Sequence, residues 1–252
     1  HARWADIHMQ TGEERFIGIA FQSDQHIGNP FCDHEQLRID TELIANSKNV
    51  FVIHAGDYID NFIVDKPRPA MKATIPPSVQ WKLCEHYLDM SIDSLMAVVA
   101  GNHDLYYKDK RDVYSVEFGK HIPGITYVDE ILEIDDVALV PWLVGDEWKK
   151  ISNIKARYMF GHFELPSFYM NAMVQMPDHG ELKAEHFKHQ EYVFSGHFHK
   201  RQVQGSIHYM GNAFPHNYAD AWDDKRGMMI LDKENNKEPQ YIDWPDCPKY
   251  RT

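Results

Sequence analysis

The sequence predicts an α/β protein built as one domain on two sheets. From about residue 16 to residue 100, short apolar runs rich in β-branched and aromatic residues alternate with amphipathic helical stretches. Beyond residue 120 such runs crowd together with little helix between them, as a second sheet requires. The length, 252 residues, suits a single domain of ordinary size.

Taken in order, Phe16–Phe21 (FIGIAF) and Val50–Ile53 (VFVI) are expected as buried strands. Between them His34–Asn46 carries Leu37, Ile39, Leu43 and Ile44 in a helical stripe. Pro67, Pro69, Pro76 and Pro77 make Asp60–Gln80 a loop or insertion. Trp81–Met96 places Trp81, Cys84, Leu88, Ile92 and Leu95 at helical spacing, and Ala97–Ala100 is a third short strand. Thr126–Val128, Ile131–Ile134 and Val137–Val140 are expected as neighbouring antiparallel strands. Asp146–Ile154 and Glu181–His189 are expected as helices. Arg157–Phe160, Tyr192–Ser195, Ile207–Met210 and Met228–Leu231 are the remaining strands, before a Pro-rich tail at 239–252. Residues 1–14 are polar and unpatterned and are expected as an arm or a remnant, with residues 15–252 expected as the single domain.

Composition narrows the function. With 43% apolar and 25% charged residues there is enough apolar surface for a core, which excludes a disordered chain. Leu95–Ala100 and Ala138–Val144 are the longest apolar runs, far short of the ~20 residues that span a bilayer, and Ala2–Gln10 lacks the apolar stretch of a signal peptide. Cys32, Cys84 and Cys247 are odd in number and lack CxxC spacing, so a reducing compartment, the cytoplasm, is expected. The excess of 38 acidic over 26 basic residues, net −12, excludes a broad grip on nucleic acid. Sixteen His is the unusual count, and His is the commonest metal ligand.

Five polar motifs follow apolar runs: Ser23-Asp24-Gln25-His26, Gly56-Asp57-Tyr58-Ile59-Asp60, Gly101-Asn102-His103-Asp104, Gly161-His162 and Gly196-His197-Phe198-His199. In α/β sheets, sites collect at the carboxyl ends of strands. An i, i+2 spacing there sets Asp24/His26 and His197/His199 on one face, able to grip one ion. The ligand types are two Asp, one Asn and four His without a thiolate, a set for Mn, Fe, Zn or similar divalent ions. Seven ligands are too many for one tetrahedral ion but suit two ions bridged by a carboxylate. Such pairs serve phosphoryl transfer by acidifying a bridging water and clamping the phosphate oxygens. Two dications against two ligand carboxylates leave the site positive, which fits a phosphate substrate in an acidic protein.

These blocks, in this order from about residue 16 to 231, resemble the calcineurin-like metallophosphoesterase superfamily, whose pattern is D-x-H, G-D-x-x-D, G-N-H-[DE], an isolated His, then G-H-x-H. The resemblance implies a four-layer α/β/β/α sandwich with two mixed sheets. It implies two divalent ions, Mn first, with Fe, Zn or Ni as the other fits. One ion would take Asp24, His26, Asp57 and His199; the second would share Asp57 and take Asn102, His162 and His197. His103 would contact the phosphate and protonate the leaving oxygen, with Asp104 orienting it and raising its pKa.

Several residues have plainer readings. Asp60 is expected to brace its loop rather than ligate, and His179 and His186 are rivals to His162. Asp6 and His8 form another D-x-H, but no strand precedes them and the match is accidental. His216 is favoured as a surface residue over a substrate-facing one, and His34, His54, His86, His121, His189 and His208 are ordinary surface or packing residues. Lys108, Lys110, Arg111, Lys200 and Arg201 adjoin the motifs, either as a solvated face or as contacts to a substrate backbone.

Within the superfamily, Asp104 rather than Glu, and Asn61-Phe62 where Arg-Gly would stand, argue against the protein-phosphatase branch. Asp24-Gln25-His26-Ile27-Gly28 and the stretches 196–212 and 225–228 resemble the DNA-repair exonucleases. Only 53 residues follow His199, too few for the DNA-capping domain those enzymes carry. The expected function is a phosphodiesterase that cleaves a nucleotide or nucleic-acid ester, with no membrane and an unassigned protein partner. A phosphomonoesterase and a non-catalytic binding module on the same fold are the alternatives.

Overall fold

A computed structural model describes residues 17–60, 75–107, 109–114, 122–170, 173–216, 218–220, 223, 225–235 and 238–244. Two six-stranded mixed sheets pack face to face. The first is built from β1 (Gly18–Gln22), β2 (Val50–Ala55) and β3 (Leu95–Val99), which run parallel. Parallel neighbours need crossovers, supplied here by α1 (His34–Asn46) and α2 (Pro77–Met90). Asp33 caps α1 by accepting the Gln36 N–H at 3.0 Å, and Pro77 opens α2 at a position that needs no N–H donor.

Between the sheets the chain makes a small hairpin, β4 (Leu105–Tyr107) with β5 (Lys110–Tyr114). It then adds β6 (Tyr127–Val128) to the first sheet, parallel to β3. The second sheet follows: β7 (Leu132–Ile134), β8 (Val137–Val140), β9 (Tyr158–His162), β10 (Tyr192–Gly196), β11 (Gln202–Gln204) and β12 (Ile207–Tyr209). Its central strands β8, β9, β10 and β12 are parallel, with β7 and β11 antiparallel at the edges. The chain finally returns to the first sheet as β13 (Gly227–Asp232), antiparallel to β1, and β14 (Gln240–Asp243).

Strand alternation divides the core into layers. Ile19, Phe21, Ile53, Ala55, Ala97 and Val99 face the second sheet, where they meet Leu139, Phe160 and Phe194. Phe21 lies 5.5 Å from Phe160 and 6.0 Å from Phe194, ring centre to ring centre. The intervening Ala20, Val52 and Val98 face the helices and pack with Leu37, Ile44, Cys84 and Leu88. A third cluster, including Val140, Met159, Phe163 and Phe187, covers the outer face of the second sheet.

The expected α/β architecture on two mixed sheets is present; β4, β5, β11 and β14 were not expected, and β14 falls in the stretch read as a Pro-rich tail. Other elements differ in kind, pairing or bounds. The outer layer on the second sheet is 3-10 rather than α-helical: Gly145–Asn153 and Ala184–Phe187 stand where Asp146–Ile154 and Glu181–His189 were expected as helices. Thr126–Val128 does not pair with its sequence neighbours; β6 belongs to the other sheet from β7 and β8. The second helix starts at Pro77 and ends at Met90, before the turn that feeds β3. The arm at 1–14 and most of the Pro-rich loop lie outside the described residues. No described helix is long and apolar enough to cross a membrane. Cys32 and Cys84 are buried and free.

Asp40, on the core side of α1, accepts the Trp244 Nε1–H at 3.1 Å and the Gln36 Nε2–H at 2.9 Å, tying the chain after β14 to the helix. Burial pushes this carboxyl up to about 7, against the pull of those two hydrogen bonds. In the unfolded chain an Asp ionises near 4, so between about pH 4 and pH 7 the folded state holds the extra proton. Stability should therefore fall as pH rises through this window, by at most about 1.4 kcal/mol per pH unit from this group. Urea midpoints measured across the window should show that slope, and Asp40→Asn should flatten it.

Candidate metal centre

The five polar motifs meet because each begins where a parallel strand ends. Asp24 and His26 follow β1, Asp57 follows β2, and Asn102 and His103 follow β3; His162 ends β9, while His197 and His199 follow β10. All five strand ends lie at one edge of the two-sheet core, the usual place for a site in α/β sheets. Four of these residues have left-handed backbones: Asp24 (φ 53°), His26 (φ 47°), Asp57 (φ 52°) and His197 (φ 87°). Such conformations cost on the order of 1–3 kcal/mol each and persist where the surroundings fix them. The motif glycines make room for that crowding. A Cβ on Gly101 would stand 2.3 Å from Asp57 Oδ1, and one on Gly196 would stand 1.8 Å from Ser23 Oγ.

Asp57 is the centre of the constellation. Its Oδ2 has three imidazole Nε2 atoms around it, His162 at 3.2 Å, His103 at 3.9 Å and His26 at 4.0 Å. Its Oδ1 accepts the His103 backbone N–H at 2.8 Å. On one side, Asp24 Oδ1 lies 4.0 Å from His26 Nε2 and 3.9 Å from His199 Nε2. On the other, Asn102 Oδ1 lies 3.1 Å from His162 Nε2 and 2.9 Å from His197 Nδ1. Ligand atoms of Asp24, His26 and His199 lie within 4.8 Å of one another, and so do those of Asp57, His162 and His197.

These residues fit divalent cations. Atoms that share one ion through bonds of about 2.0–2.2 Å stand about 3–4 Å apart, close to the distances just given. His26 Nε2 is buried and takes no hydrogen bond from a described residue, an expensive arrangement that a cation would relieve. Burial lowers the pKa of His26 and His162, yet both are held up to about 9: His26 by Asp60, Asp57 and Asp24, His162 by Asp57 and Asp24. The carboxylates thus make a negative well that keeps buried imidazoles protonated, and a metal taking the site would displace those protons. Burial also opposes ionisation of Asp57, but His162, His103 and His26 hold it well below the usual carboxylate range.

A second set of partners fixes ring orientation. His162 Nδ1 stands 2.7 Å from the Ala55 carbonyl, which accepts its proton and leaves Nε2 facing Asp57. Asp60 Oδ1 is 3.3 Å from His26 Nδ1, and its carboxylate lies within 4.8 Å of ring nitrogens of both His26 and His103, so its side chain faces the site rather than only its own loop. Asp220 Oδ1 is 3.4 Å from His199 Nδ1, and Glu164 Oε2 is 3.1 Å from His197 Nε2. Neither acid was singled out from the sequence. Glu164 stands two residues beyond His162, and the same-face spacing that groups Asp24 with His26 would have flagged it. Asp220 had no such signal, because it lies in a short 3-10 turn, Tyr218–Asp220, 21 residues from its partner.

Asp220→Ala should weaken metal uptake about 10–100-fold, the usual cost of losing a partner behind a ligand. Metal titration would measure it, with a competing chelator setting the scale.

Three expectations need correction. His216 is buried, not on the surface: its Nε2 lies 2.9 Å from the Asp24 carbonyl and its ring 4.7 Å from that of His26. The apolar Ala213-Phe214 beside it draws the segment into the core. Asp104 does not act as expected either. Its Oδ2 accepts the backbone N–H groups of Gly101 at 2.7 Å and Asp57 at 3.1 Å, stitching two ligand loops together. Burial pushes its carboxyl up to about 7, with Asp57 adding to the rise. His103 is lowered rather than raised, by burial, and the carboxylates that oppose this are Asp57 and Asp60.

The flanking cations also divide. Arg111 is bound by Glu147 and by the carbonyls of Asp129 and Trp142; Arg201 pairs with Asp243 and lies over Tyr241. Both are structural. Lys200 lies over the Tyr169 ring, Lys110 is exposed on β5, and Lys108 is outside the described residues. Of the rivals to His162, His179 is exposed and His186 Nδ1 accepts the Lys183 N–H at 2.9 Å. Asp6 and His8 lie outside the described residues.

The chain belongs to the calcineurin-like phosphoesterase family, whose model matches residues 5–201 and so contains all five motifs. Its class is thereby a metal-dependent phosphoesterase. Among characterised relatives it is similar to exonuclease subunit 1 of Enterobacteria phage T4, 29% identical over 148 residues. That alignment covers 55% of this chain and 42% of the phage protein, less than half the relative's length. Among solved structures it is similar to the calcineurin-like phosphoesterase YfkN of Bacillus subtilis, at TM-score 0.44 and 11% identity over 90% of this chain and 88% of that one.

Proposed function

We propose that the chain is a dinuclear metal-dependent phosphodiesterase that cleaves a nucleotide or nucleic-acid phosphodiester. The observation that carries this reading is the position of Asp57, whose carboxylate groups with His162 and His197 and whose Oδ2 also lies 4.0 Å from His26 Nε2 of the neighbouring cluster. Asp24, His26 and His199 would hold one ion with Asp57, and Asn102, His162 and His197 would hold the other. When bound, two such ions supply a water of lowered pKa and a clamp on the phosphate oxygens. Manganese is the ion to test first.

The chain's own residues supply the rest. His103 is partly exposed at the edge of the site, its ring edge-on to His26 at 4.7 Å, and is placed to give a proton to the departing oxygen. Asp104 holds the Gly101 and Asp57 loops at a fixed separation, so that the ligands do not depend on metal for their positions. The excess of nitrogen ligands over carboxylates leaves the loaded site positive toward a phosphate. Similarity to an exonuclease subunit supports nucleic acid as the substrate class.

The test incubates purified protein and Mn²⁺ with an aryl phosphodiester, an aryl phosphomonoester and linear DNA. Turnover of the diester and of DNA is expected. Activity confined to the monoester overturns the diester assignment.

A further inference from the structure

We propose that the aromatic cleft beside His162 and His197 is a subsite for a nucleobase of the substrate, with Trp142 as its stacking face. The proposal deepens the phosphodiesterase reading and rests on it. The cleft is about 430 Å³, within the range of small-molecule sites and large enough for one nucleoside. Its walls include Trp142 and Trp148, and its floor reaches the centre through His162 and Glu164. A group seated there lies next to a phosphate held at the ligand clusters.

Trp142 is fixed in place without serving the core. Its ring is 4.9 Å from that of His197 and 6.1 Å from that of His162, half-buried at the lip of the cleft. Its N–H donates to the Ala100 carbonyl at 2.8 Å, one residue before the Gly101-Asn102 loop begins. Its carbonyl accepts from Arg111, itself held by Glu147 at 2.6 Å and by the Asp129 carbonyl at 2.8 Å. Trp142 is nonetheless in none of the three apolar clusters of the described residues. An indole pinned at both backbone groups, facing a cleft rather than a core, is a preorganised stacking platform.

The charge of the lining selects what stacks. The described lining holds the carboxylates of Glu164 and Glu181 and no Lys or Arg. A phosphate would be repelled, whereas an uncharged heterocycle with N–H donors on its edge would be accepted. His179, exposed at the rim, adds a further hydrogen-bonding group. The phosphate therefore goes to the metals and the base to the cleft, the division a nucleotide ester demands.

The test is calorimetric and needs no turnover. Mn²⁺-loaded protein is titrated with a deoxynucleoside 5′-monophosphate and with deoxyribose 5-phosphate, which presents the same phosphate without a base. Stacking on one aromatic residue predicts a preference of about tenfold or more for the nucleotide. Trp142→Ala should abolish the preference, and Trp142→Phe should restore most of it, which a merely unfolded variant cannot do. Equal affinities in the unaltered protein, or a preference that survives Trp142→Ala, would overturn the subsite. Loss of all diester turnover in the unaltered protein, with the Trp142-dependent preference intact, would instead overturn the phosphodiesterase reading and leave a nucleotide-binding site.

Discussion

Asp57→Asn should bind at most one metal per chain and lose about 10³-fold or more in kcat/KM. The substitution keeps shape and one essential contact, because an amide oxygen can still accept the His103 backbone N–H that Asp57 Oδ1 takes at 2.8 Å. It removes the charge and replaces Oδ2 with an NH₂ group facing the Nε2 atoms of His162, His103 and His26. An amide nitrogen cannot ligate a cation, so the group proposed to bridge the two ions is lost. Metal catalysis supplies several kcal/mol of transition-state stabilisation, which at 1.36 kcal/mol per tenfold gives the expected loss. Metal content by atomic emission, measured beside the rate, checks both halves. Full occupancy with two ions would refute the bridging assignment.

His103→Ala should behave differently: a fall in kcat of about 10²–10⁴ with metal content close to that of the unaltered protein. Its backbone N–H, the part that holds Asp57, survives the change. Its side chain is the most exposed of the three imidazoles around Asp57 Oδ2, at 31% against 4% for His26 and 0% for His162. A proton donor matters in proportion to how poorly the leaving oxygen departs. The loss should be small for a p-nitrophenyl ester and full for a DNA phosphodiester, whose leaving alkoxide needs the proton. Equal losses on both substrates would mean that His103 holds the phosphate without acting as an acid.

How far the sequence foretold these residues depends on where each sits. The candidate ligands were legible because strand ends are local. The apolar run Phe16–Phe21 marks β1, and Asp24 and His26 come shortly after it; the same holds for Asp57 after β2 and Asn102 after β3. The helical layer over the first sheet was legible from the spacing of Leu37 and Ile44, and of Cys84 and Leu88.

Other features depend on distance or on a different period. Gly145–Asn153 carries its apolar side chains at Trp148 and Ile151, followed by Ile154, one every three residues. That is the repeat of a 3-10 helix, easily mistaken for an α-helix over so short a run. Tyr127–Val128 is two residues long, too short to reveal which sheet it joins. The acids behind the ligand imidazoles were hidden because a hydrogen bond such as Asp220 to His199 leaves no local pattern. His216 was misplaced for a related reason: polarity suggests surface, while its burial against His26 and the Asp24 carbonyl is a property of the assembled edge.

The central claim, two ions sharing Asp57, is most directly tested by anomalous diffraction from crystals grown with Mn²⁺. The account predicts two peaks about 3.5–4 Å apart, both in contact with the Asp57 carboxylate. One should touch Asp24, His26 and His199, and the other Asn102, His162 and His197. A single peak, or a pair of which one has no contact with Asp57, would contradict it.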